Sequence, residues 1–234
     1  MHKDLNAMKG GVDRMSSWWT EFGDGLAPVA LMNKFKAITA KAGSVLEENL
    51  VRPRERGGVK LTDLLSSLVK HRETKMGHQE RFCAFSIEYL GIPRPVQFPD
   101  TSNNCYQSHS YAATKILHHP DLYLAFLRLV ADSKALGNEL NHFERNVEAG
   151  LNDPPTCTEL SVMSLYSQAM GIPFTQHIRT TDDTLLNSLD LGSLYDRIKQ
   201  HMGAVIKDPD LLLGRGGARM RLGRCTEEGG TMRM

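Results

Sequence analysis

Apolar residues recur three and four positions apart over most of this chain, and runs alternating apolar with polar residues are almost missing. A 3.6-residue helix gathers such residues on one face, whereas a half-buried strand needs a period of two. The cleanest stripe is Leu122, Phe126, Leu129 and Val130, and the preceding "HPD" puts Pro120 where a helix begins. Asn141–Leu151 carries Phe143, Val147 and Leu151 at steps of four. After "NDPP", Thr156 and Glu159 have the spacing of a capping box, with Leu160, Met163, Tyr166 and Met170 behind them. Residues 189–206 carry Leu191, Leu194, Tyr195, Ile198, Met202, Val205 and Ile206, close to a heptad seam. Packing within the chain's own bundle is the simple account of that seam, and a coiled-coil partner is the alternative.

The first half is more broken. Residues 4–22 form a helical pattern through Leu5, Met8, Val12, Met15, Trp18 and Trp19, with a break expected at Gly10-Gly11. Residues 27–42 give a weaker helix through Val29, Met32, Phe35 and Ile38, and Ser44–Glu47 has capping spacing. "RPRERGG", 52–58, reads as an exposed basic loop. Thr62 is the candidate N-cap of a helix carrying Leu64, Leu65, Leu68 and Val69, interrupted near Gly77 and resuming through Phe82, Phe85, Ile87 and Leu90. "GIPRPVQFPD" then stops helix formation, because proline fixes φ and disfavours the helical region for its predecessor. An extended segment or short strand is expected at 95–98. Residues 104–118 return to helix through Tyr106, Ser110, Tyr111, Ala113, Ile116 and Leu117. The tail, 214–234, is rich in glycine and arginine, lacks apolar periodicity and is expected to be disordered. The expected fold class is all-α: an irregular multi-helix bundle with Pro-rich connections. Its segments are 1–58, 59–213 and the tail.

Composition narrows function more than fold. A net charge of +1 provides no global basic field for nucleic acid, so anion binding would have to come from local clusters. The four cysteines, Cys83, Cys105, Cys157 and Cys225, show no CxxC pair and read as reduced thiols inside a cell. No signal-peptide pattern or membrane-length apolar run is present.

No self-contained active site emerges. His71, His78 and Cys83 do not fall at helical ligand spacing, and there is no HExxH or P-loop. Cys105 and His109 would face the same way on a helix, which alone is thin support for a nucleophile–base pair. Asp4, Asp100 and Glu159 are scattered. Asp100 reads more simply as a helix cap and Glu159 as part of its capping box. No catalytic residue, metal or cofactor is assigned.

One stretch goes further. "TSNNCYQSHSYAATKIL" resembles the segment of hAT-superfamily transposases that reads T-R-W-N-S before an apolar helix, with Asn104, Cys105, Tyr106, Gln107 and Ser108 at the matching positions. "MHKDLN" resembles the end of that superfamily's C-x-x-H motif, through His2, Leu5 and Asn6, with one extra residue between His2 and Leu5 and no preceding Cys. Residues 1–213 as a whole resemble a group of fungal proteins related to DNA transposons of the hAT or KDZ type.

The resemblance implies that this is the helical insertion region of a ribonuclease-H-like transposase, with the catalytic carboxylates outside the chain. It would then be a truncated, catalytically incompetent, nuclear domain with residual DNA binding. Tyr106 stands where the family's Trp stacks on a flipped base, and a phenol ring can also stack. Cys105 replaces the Arg and brings no cation, Gln107 replaces Asn, and Ser108 is retained. Alternatively, Tyr106 packs on Tyr111 or Ile116 while Asp100 and Ser102 cap the helix. The other function open to the chain is a helical protein–protein interaction module, self-associating or binding another protein.

Overall fold

The computed structural model describes residues 2–34, 55–71, 77–101, 107–134, 139–180 and 192–214, with the backbone alone for 2–9 and 177–180. Helices dominate the described residues, and no strand occurs among them beyond an isolated antiparallel bridge between Ala30 and Arg56. Two compact units are formed, Met1–Ser164 and Leu165–Met234.

The first unit holds α1 (His2–Phe22), α2 (Gly57–Lys70), α3 (Gln79–Leu90), α4 (Ser108–His118), α5 (Pro120–Asp132), α6 (His142–Leu151) and most of α7 (Pro154–Tyr166). α2 packs against α6, α4 and α3, while α5 lies against α3, α4 and α6. The expected stripes form the core: Leu61, Leu65, Leu68 and Val69 meet Phe82, Ile116, Leu122, Phe126, Val130, Val147 and Leu160. Phe82 stacks on Tyr123 at 5.7 Å between ring centroids and meets Phe126 edge-on at 5.1 Å, geometries favoured by the ring quadrupole. Pro120 begins α5 as expected. Asn141 caps α6 in a reciprocal box with Glu144, whose buried carboxylate also meets Lys134 and His78.

Several local expectations are overturned. α1 runs unbroken through Gly10 and Gly11. Elongation within an established helix is cheap, so about 1 kcal/mol per glycine does not break it. Of the helix expected over 27–42, residues 27–33 are not helical and 35–42 lie outside the described residues. Pro28 lacks an N–H, and the Val29 and Leu31 N–H groups donate to the Asp153 carboxylate (3.1 Å) and the Glu55 carbonyl (2.8 Å). α2 begins at Gly57, not after Thr62, and Gly57 and Gly58 are buried rather than part of an exposed loop. Residues 95–98 form no strand, so of the extended segment or short strand expected there the strand is not seen, and Phe98 is turned into the core. The N-cap position of α4 is Gln107, whose side chain makes no capping hydrogen bond, and Ser102 lies outside the described residues.

The second unit contains a π-helical turn (Ser167–Gly171), α8 (Ile172–Thr180), α9 (Gly192–Lys207) and α10 (Asp210–Leu213). Phe174 and Tyr195 rings meet at 5.9 Å. Of the heptad-like seam, Leu194 is buried and Ile206 is exposed. Leu191, the Ser44–Glu47 turn and the Gly/Arg-rich tail from 215 onward lie outside the described residues.

Candidate functional site

α2 and α4 meet along a polar seam. Thr62 and Ser66 on α2, and Ser108 and Ser110 on α4, are all buried. Ser66 Oγ donates to the Pro99 carbonyl (3.0 Å) and accepts from the Thr101 N–H (3.2 Å), drawing the proline-rich connection onto α2. Gln107 stands at the N-terminal end of this seam. Its φ of 60° is left-handed, an uncommon conformation for a residue with a side chain. Only 4% of it is exposed, yet neither the nitrogen nor the oxygen of its amide has a hydrogen-bond partner. A buried polar group left unpaired costs about 1–3 kcal/mol.

Two residues on, His109 Nδ1 lies 2.9 Å from Thr62 Oγ1 and 3.9 Å from Asp63 Oδ1. The Thr62 hydroxyl already donates to the Val59 carbonyl (2.7 Å), so it accepts from the imidazole. The ring proton therefore sits on Nδ1, and Nε2 carries the lone pair in the neutral form. Burial lowers the His109 pKa and the Asp63 carboxylate opposes that shift, leaving the ring predominantly neutral at physiological pH. A neutral acceptor and an amide with both a donor and an acceptor to offer thus share the start of α4.

Of the residues expected to form a site, Gln107 and Ser108 lie here, while Cys105 and Tyr106 fall outside the described residues. His2, Leu5 and Asn6 occupy the first turns of α1, and their side chains are outside the described part. Thr62 and Asp63 have no functional signal in the sequence, because what selects them is contact with a helix far along the chain.

A second constellation departs from the sequence expectation. Asp153 caps α7, accepting from the Thr156 N–H (2.9 Å) and hydroxyl (2.6 Å). Thr156 is thus the capped residue, and Glu159 takes no part in a capping box. The Glu159 carboxylate instead accepts from the Gly58 N–H (2.8 Å) and, with its other oxygen, from the Trp19 indole N–H (3.0 Å). Burial raises its pKa and nearby Asp153 adds to the rise, against the two hydrogen bonds and the Arg56 charge. Gly57 has a φ of 76°, and a Cβ there would overlap this carboxylate. The double glycine that reads as loop punctuation is what lets the carboxylate reach the start of α2.

Burial, then Asp153, push the Cys157 thiol up, so it stays protonated at neutral pH. Among the described residues no three metal-ligating side chains converge, and no helix is long and apolar enough to cross a membrane. No protein-family model, curated protein or solved structure matches the chain.

Proposed function

We propose that this chain is a transposase-derived helical domain that holds a nucleic-acid strand without cutting it, using the N-terminal end of α4. The observation that carries the reading is Gln107: strained, buried and unpaired on both amide atoms. Strain and unsatisfied polarity at one residue concentrate where a ligand is received. A glutamine amide pairs in bidentate fashion with an adenine edge, each such pair worth about 1–3 kcal/mol of discrimination. The resemblance of residues 104–108 to the base-holding segment of hAT transposases points the same way and would place the protein in the nucleus.

The test is an electrophoretic shift with hairpin and single-stranded DNA at low and moderate salt. Binding is expected at low salt and should fade as salt rises, because phosphate contacts are screened. Gln107→Ala and Tyr106→Ala should each weaken it, and no strand should be cut in the presence of magnesium or manganese. Equal binding by wild type and both variants, or robust cutting, would refute the reading.

A second reading, a protein-interaction module, is favoured by the end of α1. Trp18, Phe22 and Leu26 are 46%, 57% and 66% exposed, and the Trp18 and Phe22 rings lie 6.3 Å apart. Light scattering after size exclusion tests its self-associating form. A concentration-dependent mass that Trp18→Ser with Phe22→Ser abolishes would support it, and a monomer at every concentration would count against it.

A further inference from the structure

We infer that α1 pairs with α1 of a second copy of this chain, antiparallel, across a two-fold axis beside Trp18. The inference rests on the reading of the end of α1 as an interaction surface, and it adds the partner and its arrangement.

α1 has two faces. Val12, Ser16 and Trp19 line a small cavity with Arg56 and Glu159, and the Trp19 indole N–H donates to the Glu159 carboxylate. That face is taken by the chain's own body. Residues three and four apart share a helix face, so Gly11, Arg14, Trp18, Glu21 and Phe22 make up the other, and all five are exposed. Its middle is aromatic, with Trp18 and Phe22 about half open to solvent and their rings 6.3 Å apart. Charges flank the rings: the Arg14 guanidinium lies 3.6 Å from the Glu21 carboxylate, and 68% and 48% of these side chains are exposed. Gly10 and Gly11 leave the backbone bare on the same side, since a Cβ on either would meet nothing within 4 Å. Glycine is a poor helix residue, but it lets a second surface come close.

The charges select the occupant. Arg14 stands four residues before Trp18, and Glu21 three after it. Turning a second α1 end for end about Trp18 therefore sets each Arg14 against the other copy's Glu21, with Trp18 against Trp18. Such a face is self-complementary, as a two-fold interface requires. A parallel pair would set Arg14 on Arg14 and Glu21 on Glu21. Between residues 10 and 26 the charged side chains are Asp13, Arg14, Glu21 and Asp24. That acidic excess disfavours a nucleic-acid strand or an anionic bilayer on this face. Four half-open rings supply about 400 Å² of burial, less than the roughly 1,200 Å² at which stable interfaces begin. The pair is therefore weak and reversible.

Sedimentation equilibrium of the full chain, from about 10 μM to about 1 mM, reads the association. Wild type is expected to move from monomer towards dimer and no further, and Trp18→Ser with Phe22→Ser to stay monomeric. Arg14→Glu and Glu21→Arg should each weaken association about tenfold, because each turns two exposed attractions into repulsions. An equimolar mixture of these two variants should associate at least as tightly as wild type, as a mixed dimer. Both substitutions in one chain should also restore the wild-type constant. The mixture separates contact between copies from the Arg14–Glu21 pair within one chain, which mixing cannot restore. All the substituted side chains are exposed, and circular dichroism at 222 nm checks that each variant folds. Single charge variants that associate like wild type, or a mixture no tighter than either alone, would overturn the antiparallel pairing. If the aromatic double variant still abolished association, the interaction surface itself would stand. A wild type that stays monomeric throughout would overturn the pairing and the self-associating surface together. None of these outcomes bears on DNA binding at α4.

Discussion

Replacing Gly57 with alanine tests how the bundle is closed. Gly57 sits at φ 76°, where a side chain costs about 1–2 kcal/mol. The new Cβ would also overlap the Glu159 carboxylate, which could not remain 2.8 Å from the Gly58 N–H and 3.0 Å from the Trp19 indole. Weakening hydrogen bonds to a buried carboxylate adds about 1.5–3 kcal/mol. The sum is about 2.5–5 kcal/mol, a large share of the 5–15 kcal/mol typical of a whole domain. In urea titrations followed by circular dichroism, with a slope near 2 kcal/mol per molar, the midpoint should fall by about 2 M. Gly91 is the control: its φ is 62° and a methyl placed there would meet nothing within 4 Å, so Gly91→Ala should carry the backbone term alone. Equal losses in the two variants would refute the reasoning, because the carboxylate would then add nothing.

Other perturbations should behave distinctly. Tyr123 is fully buried with an unpaired hydroxyl, so Tyr123→Phe should leave stability unchanged or raise it by up to about 1 kcal/mol in the same titration. Gly10→Ala and Gly11→Ala meet nothing within 4 Å inside a continuous helix, and each should raise helicity and favour the helix by about 1 kcal/mol. His109 has a lowered pKa, so the unfolded chain takes up its proton first. Its contribution should be lost as pH falls below about 6.5 toward the folded value, and His109→Gln should flatten that part of the stability profile.

The parts legible in the sequence are those governed by neighbours along the chain. The Leu122–Val130 stripe and Pro120 specify α5 without help, and Val147 and Leu151 mark the buried face of α6. Expectations fail where tertiary partners override local rules. Thr156 and Glu159 have capping-box spacing, but Asp153 lies three residues before Thr156 and captures its N–H, which frees Glu159 for Trp19 and Gly58. Gly57-Gly58 looks like a loop until a carboxylate from residue 159 accepts the Gly58 N–H in the first turn of α2. Val29 and Met32 have helical spacing in the helix expected over 27–42, yet the Val29 and Leu31 N–H groups find acceptors at Asp153 and Glu55. At the candidate site, Gln107 is reached through its neighbours' resemblance to a motif. Its unpaired amide and the pairing of His109 with Thr62 depend on how α2 and α4 meet.

The most direct test of strand holding at α4 follows the side-chain amide of Gln107 by nuclear magnetic resonance, assigned through its loss in Gln107→Ala. Titration with an adenine-containing DNA hairpin should move that ¹⁵N–¹H pair saturably, in step with binding measured by anisotropy. An amide signal that stays fixed while the hairpin binds elsewhere, or a hairpin that does not bind at low salt, would contradict the account.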